Sequence, residues 1–220
     1  MKEFIKHNFI FITIYILMLF KIGDLLLKNG KVQIHKSINA CVGNQFLDQF
    51  FKLVTHLGDG IFALLIVIIT LFFNVKKSLY ILLSYIFASL TSSIIKNYIY
   101  VDTCRPSFAF EFYVRAPLKL VDGVEMNIFN SFPSGHSTSA FAVFISLMFL
   151  SSNFFMKFFW LLIAFLAAYS RTYLSQHWLV DIYFGSIIGF SFSIFFYFFF
   201  YEKKIFQFLE TGILKFNKKS

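Results

Sequence analysis

Long apolar stretches alternate with polar connections along the chain. The six apolar stretches cover residues 7–27, 58–74, 78–97, 137–152, 155–172 and 178–201. Several approach the roughly 20 residues that an α-helix needs to cross a bilayer. The fourth is short, so it must extend into its flanks or be shielded by neighbouring helices. The pattern predicts an all-α, polytopic membrane protein, a six-transmembrane-helix bundle forming a single domain over residues 1–220.

The composition independently favours a membrane protein. The chain is 58% apolar and 22% aromatic, with 35 Phe among 220 residues and only 14% charged residues. Soluble domains have a very different balance. The first apolar stretch lacks a small-residue cleavage site, so we expect it to be retained as a helix. Nothing in this composition indicates a nucleic-acid partner, and it leaves the oligomeric state open.

The distribution of basic residues predicts the orientation. Ten lysines lie at the termini or in the second and fourth connections, beside only three glutamates. The positive-inside rule makes this side cytoplasmic. The opposite side also carries ten basic residues, but over longer loops and with eight acids. The lysines of the cytoplasmic side are Lys2, Lys6, Lys76, Lys77, Lys157, Lys203, Lys204, Lys215, Lys218 and Lys219.

Two further segments have helical periodicity. Residues 34–57 predict an interfacial helix on the outer face, and Asp59 after them is expected to cap a helix rather than to catalyse. Residues 202–220 set apolar positions against five lysines. This pattern is typical of a basic amphipathic cytoplasmic tail on an anionic leaflet, or equally of a partly disordered tail.

Charged residues interrupt the apolar pattern in the fifth connection, at Ser170–Asp181. Arg171 is suited to neutralising an oxyanion, and His177 to acting as a nucleophile or base. Asp181 follows His177 by four residues, so on a helix both lie on one face. We therefore expect the carboxylate to orient the imidazole.

A second polar cluster stands before the fourth apolar stretch. Pro133 and Ser134 are helix-start residues, and Gly135 allows close approach to backbone N–H groups that bind phosphate readily. His136 is expected at the mouth of this anion site. Arg105-Pro106 adds positive charge, as does Lys96 upstream.

Together these residues resemble the type 2 phosphatidic acid phosphatase (PAP2) family of membrane lipid phosphatases. Its signature has three parts, Lys-x6-Arg-Pro, Pro-Ser-Gly-His and Ser-Arg-x5-His-x3-Asp, and the second and third match at every defining position. The first departs, because eight residues separate Lys96 from Arg105, and Tyr98 occupies the family's lysine position. On an unbroken helix, nine steps of about 100° put Lys96 opposite Arg105. Lys96 needs a loop or a bulge to join the site.

The resemblance implies a chemistry that needs neither metal nor other cofactor. In it, His177 attacks phosphorus to form a phosphohistidine, Asp181 holds His177, and His136 protonates the leaving alkoxide and later activates water. The phosphate ligands would be Arg105, Arg171, Ser134, Gly135 and, with a bulge, Lys96. No residues have the spacing of a zinc or haem site. Cys41 and Cys104 both fall on the predicted outer side, as a disulfide or as two free thiols.

The resemblance also limits the substrate to a phospholipid or glycolipid phosphate in a bacterial inner membrane. We expect the active site at the outer, periplasmic edge. Family members there act on undecaprenyl diphosphate, phosphatidylglycerol phosphate or lipid A. The aromatic and basic loop of residues 101–132 favours lipid A, with the other two as alternatives. A non-catalytic lipid-binding or flipping protein is the alternative of a different class.

Overall fold

The structure is a computed structural model that describes residues 2–202. All regular secondary structure in this range is helical, which confirms the all-α prediction. The helices are α1 (Lys2–Lys28), α2 (Lys31–Asn39), α3 (Gln45–Val54), α4 (Gly60–Phe73), α5 (Val75–Ile94), α6 (Pro106–Ala109), α7 (Gly135–Leu150), α8 (Phe154–Tyr173) and α9 (Leu179–Tyr197). A 3-10 turn, Thr55–Gly58, links α3 to α4, and π-helical turns prolong α5, α6 and α9 at Ile95–Ile99, Phe110–Val114 and Phe198–Glu202.

All six predicted apolar segments contain helices, but they differ in length. Helix α1, helix α8, and α5 and α9 with their π-helical turns are each long and apolar enough to cross a membrane. Helix α4 has only 14 residues and qualifies only together with Gln45–Gly58, across a bend of 59°. Helix α7 has 16 residues. The described residues thus form a multi-pass membrane protein with four or five candidate spans rather than six of full length.

Helix α7 occupies the centre of the bundle. It packs against α5, α8 and α9, and most of its side chains are buried, including Phe141 and Phe144. In lipid, helices associate through close packing and hydrogen bonds, because the bilayer is as apolar as the protein. The short fourth apolar segment is therefore shielded by its neighbours.

Two glycines allow α9 to lie directly on α7. A Cβ atom on Gly189 would stand 2.5 Å from the carbonyl oxygen of Thr138, and one on Gly185 would stand 2.7 Å from that of Ser134. Small residues four apart permit such close helix contacts in membranes. In the first turn of α9, the backbone carbonyl of Asp181 accepts a hydrogen bond from the backbone N–H of Ser134 at 3.1 Å. The contact therefore joins the polar cluster at Pro133–His136 to the one at Ser170–Asp181.

The predicted helix over residues 34–57 is in fact two helices, α2 and α3. The chain breaks at Gly43, whose φ of +100° suits glycine. Asn44 then caps α3, its side chain accepting from the N–H of Leu47 at 3.1 Å. Asp48 on α3 accepts from the Tyr173 hydroxyl at 2.6 Å. This bond ties α3 to the end of α8, close to the polar clusters.

The opposite end of the bundle contains the N-terminus and the α7–α8 connection. There Lys157 donates to the backbone carbonyl of His7 at 3.1 Å and to the side chain of Asn8. Lys76 lies over the ring of Tyr201, 4.6 Å from its centroid. The predicted basic tail beyond Glu202 falls outside the described residues.

Candidate active site

His177 and Asp181, in the polar cluster Ser170–Asp181, form a fixed imidazole–carboxylate pair. Asp181 lies in the first turn of α9, and its Oδ2 stands 3.3 Å from Nδ1 of His177. The same oxygen accepts from the Trp178 backbone N–H at 2.9 Å and from the Ser131 hydroxyl at 2.5 Å. Both rotation of the carboxylate and displacement of the imidazole are thus restricted.

The second ring nitrogen of His177 faces a cation. Its Nε2 lies 3.4 Å from Nη1 of Arg105. A guanidinium can only donate, so Nε2 must present its lone pair and Nδ1 must hold the proton that faces Asp181. Burial lowers the pKa of His177 well below its usual value, and the positive charges of Arg105 and Arg171 lower it further. His177 is therefore a neutral imidazole with Nε2 available for attack.

Two buried arginines lie near His177, and Arg105 contacts this nitrogen directly. Arg105 donates from Nε to the Phe129 carbonyl at 2.9 Å and from Nη1 to the Gln176 carbonyl at 3.1 Å. Arg171 donates from Nη1 to the Thr55 hydroxyl at 2.6 Å and from Nη2 to the Gln176 side chain. Its Nε is buried and has no hydrogen-bond partner within residues 2–202. The arginines are held rigidly while keeping donors for an anion.

The second cluster forms the start of α7. Ser134 is fully buried as the N-cap, its hydroxyl accepting from the Ser137 N–H at 3.4 Å and the Ser137 hydroxyl at 2.9 Å. Both bonds use lone pairs of the Ser134 oxygen, so its O–H proton remains a donor for the expected phosphate contact. Gly135 borders open space, because a Cβ atom built there meets nothing within 4 Å. Its position leaves room for an anion at the helix N-terminus.

Lys96 lies in the π-helical turn that follows α5. A π-helical turn has i→i+5 hydrogen bonds and therefore more residues per turn than an α-helix. Its side chains consequently point in directions different from those on an unbroken α-helix. Together with burial, the charge of Lys96 lowers the pKa of His177 and of His136, so Lys96 lies close enough to interact with both imidazoles. The side chain of Tyr98 is 81% exposed. The bulge needed to bring Lys96 to the site is therefore present.

The turn before α4 forms a further part of the site that no motif of the sequence indicated. Asp59 occupies the N-cap position, but its side chain makes no capping hydrogen bond, so the prediction of a helix cap is wrong. Its Oδ1 instead lies 2.5 Å from Nε2 of His136. Thr55, in the same turn, supports Arg171. The one available signal was a group of polar residues just before an apolar run, which also fits an ordinary helix start.

The eight residues predicted for the site all lie at one end of the bundle, although they come from separate segments. They are Lys96, Arg105, Ser134, Gly135, His136, Arg171, His177 and Asp181. Within residues 2–202, no three of the His, Cys, Asp and Glu side chains are grouped to hold a metal ion. Cys41 and Cys104 are free thiols. The group has the charge and donors to hold a phosphate beside a nucleophilic nitrogen.

A helical membrane bundle with this site at one end defines an integral membrane lipid phosphatase. The PAP2 superfamily profile matches residues 77–205, more than half of the chain, and the protein belongs to that superfamily. No curated protein matches the sequence.

Two crystal structures resemble this one. LpxE of Aquifex aeolicus is 25% identical, with a TM-score of 0.63 over 75% of this chain and 93% of its own. A transmembrane PAP2-type phosphatidylglycerolphosphate phosphatase from Bacillus subtilis is 24% identical, with a TM-score of 0.65 over 90% of this chain and 98% of its own. The second similarity is evidence for the fold alone.

Proposed function

We propose that this lipid phosphatase acts through a phosphohistidine on His177. The observation that carries the proposal is the Nε2 atom of a buried, neutral imidazole, held by Asp181 on one side and facing Arg105 on the other. Attack on phosphorus needs this lone pair and a field that stabilises charge on the phosphoryl oxygens. Both are supplied by the chain's own residues.

In the first step, Nε2 of His177 forms a bond to phosphorus as the bond from phosphorus to the lipid oxygen breaks. His136 gives its proton to the departing alkoxide, and the Nδ1 proton of His177 stays hydrogen-bonded to Asp181. In the second step, His136 takes a proton from water, the oxygen attacks phosphorus, and the phosphorus–nitrogen bond breaks. Free phosphate leaves, and both imidazoles return to their starting states.

The positive charge for both steps comes from Arg105 and Arg171. Their remaining N–H groups, the Gly135 N–H and the ammonium of Lys96 would bind the phosphoryl oxygens, with the Ser134 hydroxyl as a further donor. Preorganised donors of this kind stabilise a transition state without reorganisation. We therefore propose a mechanism that requires no metal.

We propose that the site opens at the periplasmic edge of the inner membrane. The support is the density of lysines at the termini of the sequence and in its second and fourth connections. Lys157 and Lys76 lie at the end of the bundle opposite to the site, close to the N-terminus and to Tyr201 respectively. The substrate would then be a lipid of the outer leaflet.

For the substrate we propose a glycolipid phosphate, with lipid A as the specific candidate. A cavity of about 460 Å³ lies in the long outer loop, lined by Phe108, Phe112 and Glu111 among others. Met126–Ile128 line both this cavity and the neighbouring one that contains Arg105. A head group whose phosphate binds Arg105 would reach the cavity beside Phe108 and Phe112. Aromatic rings and a carboxylate there suit the faces and hydroxyls of a sugar.

The deciding experiment offers the purified protein lipid A, undecaprenyl diphosphate and phosphatidylglycerol phosphate side by side. We expect phosphate release to be fastest from lipid A. In a deletion strain, lipid A should be heavier by one phosphate in mass spectra, and the more anionic cells should be more sensitive to cationic peptides.

Unchanged lipid A in the deletion strain, together with preferred hydrolysis of another lipid in vitro, would transfer the assignment to that lipid. Failure to release phosphate from all three would contradict the phosphatase mechanism. It would favour a non-catalytic lipid-binding or flipping protein built on the same scaffold.

A further inference from the structure

The structure contains a second histidine–carboxylate pair, formed by His136 and Asp59. Oδ1 of Asp59 lies 2.5 Å from Nε2 of His136, and its Oδ2 lies 2.9 Å from Nδ1 of His56. Both carboxylate oxygens are thus used by imidazoles. Since no backbone N–H of α4 takes part, helix capping does not explain the position of this side chain.

The turn that carries Asp59 is packed directly against His136. A Cβ atom on Gly58 would stand 2.9 Å from the His136 carbonyl oxygen and 3.1 Å from its Cβ. Only glycine permits this approach without a shift of the neighbouring backbone. Thr55, at the start of the same turn, holds Arg171 at 2.6 Å. One short segment therefore supports both a phosphate-binding cation and the proposed general acid.

The charges around His136 come from several elements. Burial and the charges of Arg171 on α8 and Lys96 after α5 lower the pKa of His136 to about 4, whereas Asp59 acts to raise it. Partial burial acts to raise the pKa of Asp59, but hydrogen bonds and charge from His56 and His136 hold it below its usual range. Asp59 is therefore ionised at neutral pH. It is the carboxylate that offsets the cations next to His136.

The two pairs differ in exposure. His177 and Asp181 are each 2% exposed, whereas the side chains of His136 and Asp59 are 31% and 34% exposed. A dry pair between cations keeps its imidazole neutral, as a nucleophile requires. In the more exposed pair, an ionised carboxylate partly offsets the cations, so an anionic substrate can bring His136 to the imidazolium form that a general acid requires.

We propose that Asp59 is a positioning residue that fixes the tautomer of His136 and stabilises its protonated form, and that His56 orients Asp59. The Nε2–H of His136 then donates to Asp59, which leaves Nδ1 to exchange protons with the substrate and water. The inference rests on the proposed function, because it concerns the residue assigned there as general acid and base.

The test uses full-length protein purified in detergent, with the variants Asp59→Asn, Asp59→Glu and His56→Gln. The matched control is Asp24→Asn, the same chemical change in an exposed acid that pairs with Lys28 at 2.8 Å. The control should keep wild-type activity. The substrates are phosphatidic acid, whose alkoxide must be protonated as it leaves, and p-nitrophenyl phosphate, whose phenolate leaves without a proton.

Asp59→Asn should lower kcat on phosphatidic acid roughly 10- to 100-fold with little change in KM, a part of what a general acid contributes. The initial burst of p-nitrophenolate should be nearly unchanged. The basic limb of the pH profile should move to lower pH, because the imidazolium loses its carboxylate. Asp59→Glu should restore most of the profile, and His56→Gln should have a smaller effect in the same direction.

Equal losses on both substrates with an unchanged pH profile would mean a purely structural role and would overturn the inference, as would wild-type kinetics in Asp59→Asn. A failure of the underlying mechanism has a different signature. In that case wild-type protein releases no phosphate from either probe, or His136→Ala keeps full activity, and the inference falls with it.

Discussion

Gly185 lies against Ser134 so closely that a Cβ atom would stand 2.7 Å from the Ser134 carbonyl oxygen. This contact sets the distance between the start of α7, which carries His136, and the start of α9, which carries Asp181. His136 lies in the first turn of α7 and His177 lies just before α9, so the separation of the proposed general acid and nucleophile depends on a packing contact with no chemical role.

Replacing Gly185 by Ala should push the two helices apart by a few tenths of an ångström or more. We expect the free energy of unfolding to fall by about 1–3 kcal/mol, as is usual for overpacking. Phosphatase activity should fall at least about tenfold, because small misplacements of reacting groups are costly. Gly30→Ala is the matched control, since a Cβ atom there meets nothing within 4 Å. Equal activity in both variants would contradict this account.

The two histidines should give different defects when replaced. His177→Ala should abolish turnover and the covalent phosphoenzyme, an acid-labile adduct detectable with radiolabelled substrate. His136→Ala should still form the adduct but slow its formation and breakdown, by roughly 10²-fold or more for a lost general acid. Both variants should remain folded in detergent. Wild-type phosphate release from the His177 variant would rule out the mechanism.

Lys96 and Tyr98 test the irregular first part of the signature. Lys96→Ala should lose roughly 10- to 100-fold in activity, because a donor to the phosphoryl oxygens is removed. Tyr98→Phe should matter little, since this side chain is 81% exposed. The comparison is made on kcat/KM with one lipid substrate. Full activity in both variants would remove Lys96 from the site.

Because of the buried His35, we expect the free energy of unfolding to fall in acid. It is 1% exposed, its Nε2 lies 3.1 Å from the Ser175 hydroxyl, and burial lowers its pKa to about 4. The unfolded chain, with a pKa near 6.5, therefore binds a proton before the folded protein does. Stability is full above about pH 6.5 and falls as the pH drops towards 4, by up to about 3 kcal/mol.

The corresponding measurement is the Tm in detergent across this pH range. His35→Gln keeps a hydrogen-bonding side chain without the titration, so its Tm should fall less steeply than that of the wild type. The buried His177 titrates in both proteins and cancels in the difference. Parallel curves would show that His35 does not contribute.

Treatment with a chelator tests whether phosphatase activity depends on a metal ion. Because Arg105, Arg171 and Lys96 provide positive charge around the phosphate, we expect activity to survive excess EDTA. Vanadate, which mimics a five-coordinate phosphoryl group, should inhibit. Loss of activity in EDTA that a divalent ion restores would favour a metal-dependent reaction instead.

The sequence predicted the helices and most of the site for identifiable reasons. Apolar stretches near 20 residues have few alternatives to a membrane helix. His177 and Asp181 are local neighbours, so their contact needs only the turn into α9, although His177 itself lies before that helix and not on it. Thr55 and Asp59 could not be assigned in this way. Their contacts with Arg171 and His136 depend on how the turn before α4 packs, and such long-range packing has no local pattern. The break between α2 and α3 was missed because apolar periodicity continues across it.

The turn at Ile95–Ile99 also affects how relatives of this protein can be recognised. A signature written as a number of intervening residues assumes a constant rotation per residue, and a single wide turn invalidates the count. Here eight residues stand where the family pattern has six, yet the charge of Lys96 still adds to the burial that lowers the pKa of His177. Searches that require fixed spacing would discard such chains. Searches that compare the direction of side chains in space would retain them. An insertion at this point of the chain is therefore not in itself a sign that activity was lost during evolution.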